Sequence, residues 1–112
     1  MQIKSRYIQF TSLILCGLCL SGVCIAANPV FGLNSLDATV SVIDPLTWRV
    51  TKLIPTGKEP HHLYMTPDER SVIVANAGGD SLTFIDPKTA EVQRVVKGTL
   101  DPYQLRFSPD IK

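Results

Sequence analysis

Cysteine is scarce and confined to one end of this sequence: Cys16, Cys19 and Cys24 are the only three in 112 residues. No disulfide framework or thiolate metal site can be built from the residues beyond them. Charge of one sign is lacking too. Eleven Lys and Arg face ten Asp and Glu, which leaves no basic stripe for a nucleic-acid partner. The two histidines, His61 and His62, are adjacent. Alternation along a strand sends them to opposite faces, and no Cys, third His or acidic cluster completes a ligand set, so no metal is expected. There is no G-x-S-x-G, no phosphate-binding loop and no nucleophile–base pairing, so no catalytic residue is expected. Helical periodicity is missing as well. What remains is a chain 45% hydrophobic and 19% charged, a globular composition with room for one domain.

The first 27 residues read as an address. Lys4 and Arg6 open the chain, and no further charge appears before Asp37. Phe10 to Ile25 is mostly apolar and ends at Ala26-Ala27. A basic start, an apolar middle and a small-residue exit are the parts of a secretory signal peptide. Residues 1–27 are therefore expected to direct export to the periplasm or the extracellular space. Cleavage after Ala26 fits better than cleavage after Ala27, because it places Cys24 rather than Ile25 at the −3 position. The competing reading is an uncleaved anchor, since about 20 uncharged residues can span a bilayer. Gln9, Thr11, Ser12 and Ser21 dilute the stretch and favour cleavage, which leaves no stable membrane insertion. Cys16-Gly17-Leu18-Cys19 has the spacing of a redox or metal motif but neither a folded context nor a second pair. Val23 before Cys24 is the wrong size for a lipoprotein site. Loss of Lys4 and Arg6 leaves nine Lys and Arg against ten Asp and Glu, a net charge of −1.

The rest of the chain repeats. Ile43-Asp44-Pro45-x-Thr47-x-x-Val50 recurs as Ile85-Asp86-Pro87-x-Thr89-x-x-Val92. Pro60-x-x-Leu63 returns as Pro102-x-x-Leu105, Pro67-Asp68 as Pro109-Asp110, Asn34 as Asn76 and Val30 as Val72. Every pair is 42 residues apart with no gap, and chance matches would scatter in spacing. Val40 to Ile43, Val50 to Ile54, Leu63 to Met65, Val72 to Ala75, Leu82 to Ile85 and Val92 to Val96 are predicted strands, rich in β-branched residues and bounded by turn chemistry. Asp44, Asp68, Asp86 and Asp110 recur at the repeat period beside proline. They read as turn-capping carboxylates rather than as an acid–base pair. Trp48 falls opposite Ala90 in the repeat and reads as an outer-edge contact. Four strands per 42 residues is the size of one propeller blade, whose two apolar faces must both be covered.

These units resemble the YVTN-family β-propeller repeat of exported bacterial and archaeal proteins. Ala38-Thr39-Val40-Ser41-Val42-Ile43-Asp44 is similar to the family's "NTVSVID" strand, and Val72-Ile73-Val74-Ala75-Asn76 stands where "YVTN" or "VYVAN" lies. Thr66-Pro67-Asp68 and Ser108-Pro109-Asp110 match its "SPDG" turn. The turn glycine is replaced by Glu69 and Ile111, and the small residues of "P-x-G-I-A-V" by His62 and Tyr64. The resemblance implies an all-β chain whose blades have four antiparallel strands. In the family's order, residues 28–112 are expected to form a partial β-propeller of two 42-residue repeats: three outer strands, one whole blade, and an inner strand around Leu105 to Phe107. Two repeats fall below the roughly 4–8 blades that close a propeller, so a truncated piece of a longer propeller is expected.

The propeller analogy gathers Glu59, His61, His62, Asn76, Asp80, Asp101, Tyr103 and Gln104 on one rim, where loops on a rigid scaffold carry binding residues. His62, His61, Tyr103, Gln104 and Asn76 are the candidate ligand-binding residues, His62 foremost because it replaces a glycine. The structural alternative for His61 is packing in the blade top. The expected function is a non-catalytic binding scaffold for a protein or small-molecule partner, with no cofactor. The alternative is a fragment of a periplasmic propeller redox protein, haem-binding and nitrite-reductase-like or quinoprotein amine dehydrogenase-like, in which His62 touches haem or quinone. A lactonase-like propeller is a further alternative that needs a metal or base set. Open strands at both ends of the repeat pair allow two outcomes, a head-to-tail homo-oligomer that closes into a ring and an insoluble or degraded fragment. The second is favoured because truncation needs no selection for closure.

Overall fold

A computed structural model describes residues 27–110. The segment read as a signal, its three cysteines and Ile111 lie outside the described residues, Ala27 excepted. The described chain is all-β: β1 (Val30–Asn34), β2 (Thr39–Ile43), β3 (Val50–Pro55), β4 (Pro60–Met65), β5 (Val72–Asn76), β6 (Ser81–Ile85) and β7 (Val92–Lys97). A 3-10 turn at Ala77–Gly79 interrupts them. Two antiparallel sheets result, one of three strands in the order β1-β2-β3 and one of four in the order β4-β5-β6-β7. Each strand read from the sequence between Val40 and Val96 is present.

The 42-residue period is written in the backbone as well as in the sequence. Left-handed φ values occur at Ala38 and Asp80 (52° and 46°), at Trp48 and Ala90 (both 56°), and at Glu59 and Asp101 (49° and 43°). Each pair is one repeat apart. The β2–β3 register slips between Val42 and Ile43, and the β6–β7 register between Phe84 and Ile85, their counterparts. The connecting loops match bond for bond. Trp48 N–H donates to the Asp44 carbonyl at 2.8 Å, and Ala90 N–H to that of Asp86 at 2.9 Å. Such a one-turn reversal needs a left-handed residue to bring the chain back onto the sheet.

Asp44 and Asp86 cap these loops through their side chains. Asp44 accepts from Leu46 N–H at 2.8 Å, and Asp86 from Lys88 N–H at 2.8 Å and Thr89 N–H at 3.0 Å. Asp68 does the same work in the β4–β5 turn, accepting from the Thr66 hydroxyl at 2.6 Å and Arg70 N–H at 3.1 Å. These donors favour the ionised form and hold all three carboxyls below their ordinary value, the Leu46 amide leading for Asp44, the Thr66 hydroxyl for Asp68 and the Thr89 amide for Asp86.

The core lies between the two sheets. Val40, Val42 and Ile54 of the first meet Val72, Val74, Ile85 and Ala90 of the second, with Phe31, Leu33 and Leu63 packed at the margin. Lys52 clamps the same boundary, its Nζ donating to the Ala90 carbonyl at 2.9 Å and pairing with Glu91 at 2.5 Å.

Two expectations are corrected. Leu105 to Phe107 is not a strand. A strand there needs a neighbour like the one that β5 gives β4, and no such neighbour is present among the described residues. Trp48 makes no outer-edge contact within the chain, because the left-handed turn projects it outward and leaves it 74% exposed.

Candidate binding rim

Antiparallel pairing places the loops 35–38, 56–59 and 77–80, and the chain leaving β7, at one end of the blades. Glycine lets two of these loops press together. A Cβ on Gly57 would stand 2.7 Å from the Asn76 Cβ, and one on Gly79 2.8 Å from the Lys58 amide nitrogen. Both approaches are closer than any side chain tolerates. Ala77 N–H donates to the Glu59 carbonyl at 2.9 Å and fixes the junction. Asp80 staples the chain leaving β7: its carbonyl accepts from Gly98 N–H and its Oδ1 from Asp101 N–H, each at 3.0 Å.

The rim read from the sequence is assembled only in part. His61 falls in a bulge between Pro60 and His62, opposite no residue of β5. The bulge leaves it exposed, with its ring centroid 4.7 Å from that of Tyr103 in the next repeat. His61 therefore does not pack into the blade top. His62 is half-buried on the face of the four-stranded sheet turned away from β1–β3. There it lies 6.0 Å from the Tyr64 ring, and its Nδ1 accepts from Leu105 N–H at 3.4 Å. Tyr64 in turn meets Phe107 at 5.5 Å. His62 is thus engaged by residues 103–107 more than it is presented to solvent. Gln104 is exposed.

Asn76 does not join the rim surface. It is wholly buried, and its Nδ2 donates to Ser81 Oγ at 3.2 Å and Thr83 Oγ1 at 3.0 Å. Asn34 makes the same fork to Thr39 and Ser41, one repeat earlier. The amide is a brace between the second and third strands of a blade. Its Oδ1 is buried without a partner.

One feature of this end escaped sequence reading. A cavity of about 550 Å³ opens between the sheets, lined by Lys58, Asp80, Ser81, Lys97 and the glycines 57, 78 and 79. The doubled Gly78-Gly79 was a signal for close loop approach. The two lysines gave none, since the repeat aligns Lys58 with Leu100 and Lys97 with Pro55. No group of three or more His, Cys, Asp or Glu able to hold a metal is present among the described residues.

Geometry and sequence converge on the fold family. A family profile described as YNCE-like beta-propeller matches residues 13–112. The chain belongs to the YNCE-like β-propeller family. Among solved structures, this YNCE-like chain is similar to the Kuenenia stuttgartiensis hydrazine synthase, with a TM-score of 0.64 and 26% identity over 76% of this chain and 24% of that one. It is also similar to the dihydro-heme d1 dehydrogenase NirN in complex with DHE, with a TM-score of 0.58 and 24% identity over 66% of this chain and 16% of that one. The YNCE-like chain spans a quarter or less of the length of either. No curated protein matches it in sequence.

Proposed function

We propose that the chain is an exported propeller module with YVTN-type repeats that acts as a non-catalytic binding scaffold. One observation carries this reading: His61 and Tyr103, from successive repeats, meet at 4.7 Å on an exposed rim. Rings from two blades form an apolar, polarisable patch with hydrogen-bonding edges, suited to a protein or small-molecule partner. The bulge that turns His61 outward serves no purpose in pairing β4 with β5, which supports a role in recognition. The basic, apolar and small-residue layout of residues 1–27 supports export. The expected mature chain begins at Asn28, or at Ala27.

Comparative affinity capture tests the scaffold. The wild-type chain and a His61→Ala/Tyr103→Ala variant are immobilised and exposed to exported proteins of the native host. A partner held by the first and lost by the second supports the rim, and identical profiles overturn it. N-terminal sequencing of exported protein tests the address, with Ala27 or Asn28 expected first.

A second reading, a piece of a periplasmic redox propeller of nitrite-reductase-like or quinoprotein type, is favoured by the likeness to hydrazine synthase. His62 would be the contact to haem, or to quinone. With Nδ1 occupied by Leu105 N–H, only Nε2 is left to reach a cofactor. Titration with ferric haem separates the two readings: a saturable Soret band lost in His62→Ala supports the redox reading. The lactonase-like reading has no supporting set of ligands among the described residues.

A further inference from the structure

The repeat relates the two outer faces of the molecule. The face of β1–β3 turned away from the second sheet carries Val30, Ile43, Val50 and Leu53, with Val30, Val50 and Leu53 exposed to 40, 54 and 58%. Val30 and Ile43 are the counterparts of Val72 and Ile85, which dock the second sheet onto the first. The outer face of the four-stranded sheet carries Leu82, Phe84, Arg94 and Val96, with the Arg94 guanidinium lying 4.0 Å over the Phe84 ring and burying it. These are the counterparts of Val40, Val42, Lys52 and Ile54, the residues that receive that docking. Each outer face therefore repeats the half of the internal interface that the other requires. Residues 102–107 already lie along the second face, held by His62 and Tyr64, just as their counterpart β4 places Leu63 against the core.

From this we propose that the chain binds a second copy of itself head to tail. The β1–β3 sheet of one copy stacks on the outer face of the other copy's four-stranded sheet. There β1 pairs with residues 102–107 and completes a blade. The register of β4 on β5 sets Leu105 opposite Gly32 and Phe107 opposite Val30.

Two exchanges distinguish this contact from the internal one. Inside the chain, Lys52 meets Ala90 and Glu91. Between copies, Arg94 meets Trp48 and Arg49. The like-charge pair at the solvent edge weakens association only a few-fold, about the scale of an exposed ion pair. Trp48 acts the other way. It is 74% exposed, and covering it gives the contact an aromatic anchor that the Arg94 guanidinium can stack upon. Apolar burial outweighs the repulsion, and added salt strengthens binding by screening the arginines.

Trp48 is the only tryptophan, so its fluorescence reports the contact directly. The emission of the full chain is expected to shift to the blue as concentration rises, while light scattering gives whole multiples of the monomer mass. Trp48→Ala weakens association at least about tenfold, and Arg49→Glu tightens it by about three- to tenfold. Cross-linking tests the register. Gly32→Cys chains are mixed with Leu105→Cys chains, both with Cys16, Cys19 and Cys24 changed to Ser. Disulfide heterodimers form in excess over either homodimer. Gly32 accepts the change, since a Cβ there has its nearest neighbours at 3.8 and 3.9 Å. A chain that stays monomeric with concentration-independent emission overturns the proposal. Association that ignores Trp48→Ala, or a mixture without heterodimers, is non-specific aggregation and overturns it equally.

Discussion

The three-stranded and four-stranded sheets share loops, bulges and side-chain forks one repeat apart, yet they are not equally folded away from water. β5 is buried at all five positions, whereas its counterpart β1 is partly or fully exposed at all five. The sequences VFGLN and VIVAN do not account for this by themselves. β5 has a strand on each edge, the first sheet over one face and residues 103–107 over the other. β1 has one paired edge, at β2, and one covered face. A blade acquires its interior from its neighbours. Identical local structure therefore comes with different stability, and substitutions at equivalent positions measure the difference.

The largest contrast is expected at the isoleucines ending β2 and β6. Ile85 is fully buried in the inter-sheet core, and Ile85→Ala should cost about 2–5 kcal/mol in urea denaturation. Ile43 is only half-buried, so Ile43→Ala should cost about 1 kcal/mol. Equal losses would show that both sheets are covered in solution. Next come the braces. Asn76→Ala removes two buried hydrogen bonds and should cost about 1–2 kcal/mol, moderated by release of its unpartnered Oδ1. Asn34→Ala, with the same fork at a half-buried site, should cost about 0.5–1 kcal/mol.

A third change sharpens the comparison by improving one sheet alone. Glu69 takes a left-handed φ of 56° in the β4–β5 turn, where the family repeat has glycine. Glu69→Gly should stabilise by about 0.5–1 kcal/mol, the relief of that strain offset by a looser unfolded chain. The smallest effect is acid sensitivity. Asp44, Asp68 and Asp86 have carboxyls depressed below the ordinary 3.8. Their contribution is full above that value and is lost as pH falls through their lower folded values. Asp86→Asn should flatten part of that acid limb in thermal melts and leave the profile above pH 5 unchanged. A change near neutrality would contradict the turn-capping role.

The fold was legible because strand and turn residues must recur when a blade recurs. Asp44-Pro45 with Asp86-Pro87, and Pro60 with Pro102, set the offset, and β-branched runs filled in the strands. The left-handed positions were not legible. Ala38, Trp48, Glu59, Asp80, Ala90 and Asp101 carry no glycine to advertise them. The rim was half legible. Propeller topology brought His61 to Tyr103, but alternation alone put His61 and His62 on opposite faces and missed the bulge that frees His61 from pairing altogether. Asn76 was misplaced because a polar residue at a strand end reads as surface, when two hydroxyls within the same blade hold it inside.

The gapless 42-residue offset has a consequence for inheritance. Because two copies align without insertion, any exchange between equivalent positions adds or deletes one whole blade. Because each blade touches only its neighbours, the product keeps every turn, bulge and brace intact wherever the exchange falls. Only the side chains facing the adjoining blade can register the change. Lys52 met by Glu91, against Arg94 aligned with Arg49, is such a mark: it makes the order of otherwise interchangeable blades visible to selection.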